Sequence, residues 1–446
     1  MRITIAGAGS VGFHLAELLS KEDQDITLID CDGVVLDQAR KNLDVMTVQG
    51  DICDMKILEQ IDVGTVDLFI AVTSFEQSNL LAAILAKRLG AKKTIARISN
   101  VEHLEDRSKA NYTELGVDLL ISPQSLAANE IQRLLSGASF TDLFEFENGK
   151  ISVVGLTLDS SFPFTDKPIS DVRAQPKDFP FRVIALLRKD KTVIPNKDTI
   201  LQKGDHIYIA SHKNSLDAVM RFMGKQLKPI KHVMIIGGTS LALRTAQRIE
   251  HTHKVTVVIE EEEIAKTFVE QLDNSLVINA DANDTDTLNS EGLEHMDAFI
   301  ALTANSETNI ISSLMAEDTG VKKTIALVEN VNYIHISQNI GVDTIINKKL
   351  IAANNIFRFV RKGKVEAIAS LHGVDAEIIE FVVHDKPILL ERPINQLGLP
   401  DQSIIAGVVR GEKSFVPAGG FRFKLDDKVI ILALPGAISK VEQIFE

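Results

Sequence analysis

The sequence predicts an α/β protein built twice over: two doubly wound, Rossmann-like parallel-sheet domains, each followed by a small α+β domain. Three observations carry this expectation. The 446 residues repeat themselves at an offset of 230 positions. Short apolar runs alternate with helical periodicity in the first part of each copy. A Gly-rich turn joins the first of these runs to the first helix.

Val66–Asn100 set on Met296–Asn330 gives 14 identical pairs in 35, where composition alone gives about two. The same offset places Gly7 on Gly237, Asp30 on Glu260 and Asp51 on Asp281; after a five-residue deletion, Gly116 to Asp118 falls on Gly341 to Asp343 and Ala127 to Asn129 on Ala352 to Asn354. A repeat of this length exceeds any solenoid period, so each copy is a pair of domains.

In the first copy, strands are expected at Arg2–Ala6, Ile26–Ile29, Val45–Val48, Leu68–Val72, Thr94–Ile98 and Asp118–Ile121, with helices such as the one carrying Val11, Leu15, Leu18 and Leu19 between them. Strands alternating with helices make a parallel sheet covered on both faces. From about Phe140 the pattern changes to Ile151–Leu158, Phe181–Leu187 and His206–Ala210, with Pro163 and Pro168 marking turns. The expected domains are therefore 1–140, 141–223, 231–365 and 366–446, with Met223–Lys231 as the linker between copies.

The net charge of −13 repels nucleic acid and anionic lipid, so no nucleic-acid partner is expected. The longest uncharged stretches fall short of a membrane span, and the N-terminus enters its Gly-rich turn too soon for a signal peptide, which predicts a cytoplasmic protein. Cys31 and Cys53 are expected as reduced thiols.

The chemistry is expected at the first turn, Gly7-Ala8-Gly9-Ser10-Val11-Gly12. The first glycine permits the tight turn, the second lets a pyrophosphate approach the backbone, and the third lets the helix pack on the strand. Helix N–H groups and the positive dipole end then face the phosphates. Asp30, ending the second strand, is placed to accept both ribose hydroxyls and to repel a 2′-phosphate. Asp51 and Ile52 after the third strand, Thr73 and Ser74 after the fourth, and Arg97 near the end of the fifth complete the candidates; the alternatives are helix capping for Asp51 and surface pairing for Arg97. In the second copy Glu260 keeps the acid, while Gly237 is followed by Thr239, whose Cβ stands where a pyrophosphate would approach, so a second site is expected to be weaker or different.

A dinucleotide fold also admits a cytosolic NAD-dependent oxidoreductase. Tyr112, Tyr208 and Tyr333 are the only tyrosines, none followed by Lys four positions on, no His/Cys spacing suggests a metal, and His251-Thr252-His253 reads as solvated. Binding without turnover is the favoured expectation.

The glycine turn with Asp30, Gly50-Asp51, the Ala71 to Leu80 loop and Ala96-Arg97-Ile98 resemble the RCK domain, a potassium-transport nucleotide-binding domain. The small domains, with Gly204-Asp205 or Asp426-Asp427 before a final strand, resemble its C-terminal companion, and two such pairs in one chain are similar to the TrkA family. The resemblance implies NAD(H) binding, with ADP or ATP as a further ligand. It also implies a homo-oligomer, four chains completing a ring of eight RCK units, and a TrkH/TrkG-like membrane potassium transporter subunit as partner. The chain would then be peripheral to the inner face of the cell membrane and gate flux rather than catalyse. Ser10 stands where ATP-binding relatives often have Arg, which weakens the implication for ATP.

Overall fold

The computed structural model describes residues 1–20, 24–135, 142–173, 179–188, 191–225, 229–282, 284–330, 333, 340, 342–361, 367–370 and 376–445. The domain boundaries expected at 140/141 and 365/366, residues 226–228 of the linker, and Gly341 of the repeat alignment lie outside them.

The first sheet has six parallel strands: β1 (Arg2–Ala6), β2 (Asp25–Asp30), β3 (Met46–Gln49), β4 (Leu68–Ala71), β5 (Lys93–Arg97) and β6 (Leu119–Ile121). Their order is β3-β2-β1-β4-β5-β6. Strand β4 is buried at every position, as a sheet covered on both faces requires. The small domain that follows is an antiparallel sheet of β7 (Asp142–Phe146), β8 (Ile151–Thr157), β9 (Phe181–Arg188), β10 (Lys191–Val193) and β11 (His206–Ser211). Sequence reading found its three long strands and missed β7 and the short edge strand β10.

The second copy repeats both sheets. Strands β12 (His232–Ile236), β13 (Lys254–Ile259), β14 (Leu276–Asn279), β15 (Ala298–Ala301), β16 (Lys323–Leu327) and β17 (Thr344–Ile346) are ordered β14-β13-β12-β15-β16-β17. The last sheet holds β18 (Ala367–Ser370), β19 (Glu377–Val382), β20 (Ser403–Arg410), β21 (Lys413–Phe415) and β22 (Lys428–Ala433).

The copies do not keep separate cores. The Pro123–Leu135 helix ends the first Rossmann unit, yet Ala127, Ala128, Ile131, Leu134 and Leu135 are buried among Val233, Ile235, Leu241 and Val257 of the second. Reciprocally, the Lys348–Arg361 helix of the second copy places Ala352, Ala353, Ile356 and Phe357 against Ile3, Ile5, Leu15 and Leu28 of the first. The two antiparallel sheets also share a core, with Phe144, Val153 and Tyr208 against Ala406, Val409 and Ile430. An apolar helix face specifies burial but not the partner, so this exchange was not legible in the periodicity.

Within each small domain one buried aspartate ties the final hairpin. Asp427 is fully buried and accepts Nε and Nη2 of Arg410 at 2.7 Å each and the Lys424 N–H at 2.8 Å. Asp205 repeats this with Arg188 at 2.7 and 2.6 Å and the Gln202 N–H at 2.7 Å. The preceding Gly204 and Asp426 both take positive φ, 86° and 64°, a turn conformation suited to glycine and tolerated by aspartate. Replacing Asp427 with Ala strands the guanidinium and one amide, and should lower stability by about 2–4 kcal/mol. The urea midpoint measures it, and an unmoved midpoint would show that the pair is dispensable.

Candidate functional site

Strand order reverses between β1 and β4, and the loops leaving their carboxyl ends diverge there and open a crevice. Gly7 has φ 109°, and a Cβ on it would lie 2.8 Å from the Thr73 nitrogen, so the loops approach this closely only because residue 7 is glycine. A Cβ on Gly12 would lie 1.8 Å from the Gly7 carbonyl oxygen, whereas one on Gly9 would meet nothing within 4 Å. Gly9 therefore faces open cleft, at the start of the Ser10–Ser20 helix.

The cleft encloses about 770 Å³, within the range of small-molecule and cofactor sites. Gly7, Gly9, Ser10, Val11, Asp30, Asp51, Ile52, Thr73, Ser74 and Arg97 all border it. Ala8 and Gly12 stand behind its wall, where the Ala8 N–H donates to Asp30 Oδ2 at 2.6 Å. Asp30 thus holds the glycine turn, accepts the Asp32 N–H at 3.0 Å through Oδ1, and keeps lone pairs for a ligand. Asp51 accepts the Cys53 N–H at 2.8 Å, while Asp54 caps the Met55–Gln60 helix, so capping does not account for Asp51. The Thr73 hydroxyl donates to Asn79 Oδ1 at 2.7 Å and accepts the Phe75 N–H at 3.2 Å. Both bonds stay within its own loop and leave one acceptor lone pair, and Thr303 with Asn309 repeats that clamp in the second copy. Ser10 and Ser74 are exposed.

Beside the cleft, the Glu76 carboxylate accepts the backbone N–H groups of Ser99 and Asn100 and contacts His103 Nε2 at 3.1 Å. Burial pushes this carboxyl up, but those bonds and the His103 charge hold it below its ordinary value, fixing the loop that follows β5. Both cysteines are free, with burial and Asp51 pushing their thiols up. Glu250, His251 and Asp273 each bring one ligand atom within 4.8 Å of the others, a cluster no sequence spacing announced; Glu250 already accepts the Asn274 N–H and the Ser275 hydroxyl at 2.9 Å each.

The corresponding turn of the second copy is closed differently. Gly237 repeats the positive φ at 111°. The Thr239 hydroxyl donates to Leu302 O at 2.7 Å and accepts the Ala242 N–H at 3.2 Å, capping the Ser240–Ile249 helix. Glu260 is exposed, and none of Gly237, Thr239 and Glu260 borders the first cleft.

Among the cleft residues that the sequence did not point to are three from the second copy: Glu329, which follows β16, and Lys348 and Lys349, which open the exchanged helix. Glu329 holds Lys348 at 2.7 Å and Lys349 at 3.2 Å. Burial pushes the Glu329 carboxyl up, and the two lysines outweigh it and keep it below its ordinary value.

Models of the TrkA-N domain match residues 3–123 and 233–348, and models of the TrkA-C domain match residues 153–224 and 378–446. The chain belongs to the TrkA family. The Trk system potassium uptake protein TrkA of Haemophilus influenzae is 32% identical, over 100% of this chain and 99% of that protein. The homologue from Archaeoglobus fulgidus is 30% identical over 100% of both. Among solved structures, the GsuK RCK domain superposes with a TM-score of 0.61 at 14% identity, covering 100% of this chain and 94% of that one. The GsuK channel bound to NAD also gives 0.61, at 15% identity, covering 100% of this chain and 78% of that one. The RCK-like α/β fold is thereby shown. Among the described residues no helix is long and apolar enough to cross a membrane.

Proposed function

We propose that this chain is the regulatory subunit of a potassium-uptake system, which binds NAD(H) in the first cleft and passes its occupancy to a TrkH/TrkG-like membrane partner. The observation that carries the reading is the open cleft of a TrkA-family chain, floored by Gly9 and edged by Asp30. The relatives are named as potassium uptake proteins, and a structural neighbour holds NAD. ADP and ATP are further candidates for the same cleft. The chain acts by binding and not by turnover, from the cytoplasmic face of the membrane. Its units are the 1–140 and 231–365 nucleotide domains and the 141–223 and 366–446 companions. Four chains complete a ring; Leu81 and Ile311, equivalent positions in the two copies, are both exposed apolar side chains suited to such assembly.

Asp30 makes the ligand choice testable. Its carboxylate favours a free 2′-hydroxyl over a 2′-phosphate, so NADH should bind the full chain more tightly than NADPH. Asp30→Ala should weaken NADH by about 1–3 kcal/mol, the scale of a lost charged hydrogen bond. Titration calorimetry reads both, and equal affinity for NADH and NADPH in the natural chain would remove the ribose from the Asp30 end.

A further inference from the structure

A second hollow, of about 570 Å³, opens at the amino ends of β12, β13 and β14, bordered by His232, Glu250, His251, His253, Lys254 and Asn274. It lies at the edge of the second sheet opposite the carboxyl ends of the strands, where the glycine turn is. Beside it, Glu250, His251 and Asp273 each present one ligand atom, all within 4.8 Å of one another. Glu250 and His251 leave the Ser240–Ile249 helix, and Asp273 lies in the loop before β14.

Two features of Glu250 favour a cation. It is 6% exposed, and its bonds from the Asn274 N–H and the Ser275 hydroxyl both end on Oε2. Oε1 accepts no hydrogen bond among the described residues, and a carboxylate oxygen left unpaired at such depth is costly. Glu250 also stands at the C-terminal end of its helix, where the negative end of the macrodipole favours cations over carboxylates. Lys254 on the rim makes no ion pair among the described residues, so neither Glu250 nor Asp273 is neutralised by it. The imidazole is held as a ligand's should be: the Asn274 amide lies 3.1 Å from His251 Nδ1. With its oxygen toward the ring, Asn274 accepts the Nδ1–H and fixes the tautomer whose Nε2 lone pair is available to a metal. At the equivalent positions the first copy has Ser20, Lys21 and Leu43, so this donor set belongs to the second copy alone.

We propose that Glu250, His251 and Asp273 form a binding site for a first-row divalent cation of the zinc class. One imidazole with two carboxylates suits zinc and its neighbours, whereas magnesium and calcium take oxygen donors. Tetrahedral bonds of about 2.1 Å need donors roughly 3.4 Å apart. The cation therefore draws the exposed His251 and Asp273 inward onto the buried Glu250, and water from the hollow completes the set. Bound there, it ties the end of the Ser240–Ile249 helix to the loop before β14. Gln132 of the first copy donates to Arg248 O at 3.4 Å, two residues ahead of Glu250, so the cation stiffens the second unit where the first copy packs on it.

The test is titration calorimetry of the chelator-treated full chain with zinc chloride and, separately, magnesium chloride, in a buffer that binds neither metal. Zinc should bind and magnesium should bind far more weakly. His251→Ala and Asp273→Asn should each weaken zinc by at least about 10-fold, since losing even a bond that orients a ligand costs that much. The doubly substituted Cys31→Ser/Cys53→Ser chain should keep the site. Zinc should raise the unfolding temperature of the natural chain and not that of His251→Ala. Metal-free unfolding temperatures report whether each variant is folded, and Asp273→Asn, which leaves packing unchanged, decides if the alanine variant is not. A natural chain that binds no zinc, zinc retained in folded His251→Ala or Asp273→Asn, zinc lost only with the cysteines, or magnesium bound as tightly as zinc would overturn the site.

Discussion

Gly9→Val should cost at least about 100-fold in nucleotide affinity, or about 2.7 kcal/mol, while leaving the fold intact. The two neighbouring glycines cannot give so clean a result. A Cβ at Gly12 would strike the Gly7 carbonyl at 1.8 Å and one at Gly7 would strike the Thr73 backbone at 2.8 Å, so substitutions there break the turn. At Gly9 nothing lies within 4 Å, and the added methyls occupy only the space that a pyrophosphate needs beside the helix N-terminus. Thr239→Val is the matched control. It removes the bonds to Leu302 and Ala242, costs about 1 kcal/mol of stability as a lost cap, and should leave nucleotide affinity unchanged. Calorimetry and thermal unfolding of both variants separate the two effects; equal loss of bound nucleotide from each would show that the two turns serve alike.

Phe357→Ala should destabilise the first Rossmann unit, although the residue belongs to the second copy. Phe357 is 2% exposed and lies in the core with Ile3, Ile5, Leu15 and Leu28. Truncating a buried phenylalanine costs about 3–5 kcal/mol in lost burial and residual cavity. Hydrogen exchange should therefore accelerate at the β1 and β2 amides, with β12 and β13 affected less. Ile131→Ala should do the reverse, since that helix is buried in the second unit. Acceleration confined to each residue's own copy would contradict the exchange of helices.

How much of this was legible beforehand follows from the range of the interactions. Strand positions such as Leu68–Ala71 and the turn at Gly7 are set by local pattern and local sterics, and they stood in the sequence almost to the residue. Asp30 was legible as well, because a strand end fixes where its side chain goes; its bond to the Ala8 N–H was not, because that needs the distance between two loops. Thr73 borders the cleft after β4 as its place in the sequence predicts, whereas the bond from its hydroxyl to Asn79, six residues on inside the following helix, was not legible. The lysines at 348 and 349 were invisible as cleft residues. They are more than 200 positions from Asp30, and only a helix packed on the other copy brings them near. The same exchange couples the copies, since moving the Lys348–Arg361 helix shifts both the first core and the edge of the first cleft.

That coupling is what the proposed function needs. A ligand shifts a conformational equilibrium only by its differential affinity for the two states, and about 1–3 kcal/mol of coupling suffices for a 5- to 150-fold change. The most direct measurement is potassium flux into liposomes that hold this protein in complex with its membrane partner, with NADH, NAD, ADP or ATP added in turn. The flux should change with nucleotide, the Gly9→Val chain should not respond while remaining in the complex, and the nucleotide should be recovered chemically unchanged. Flux indifferent to all four nucleotides with the complex intact, or nucleotide consumed as flux proceeds, would contradict the account.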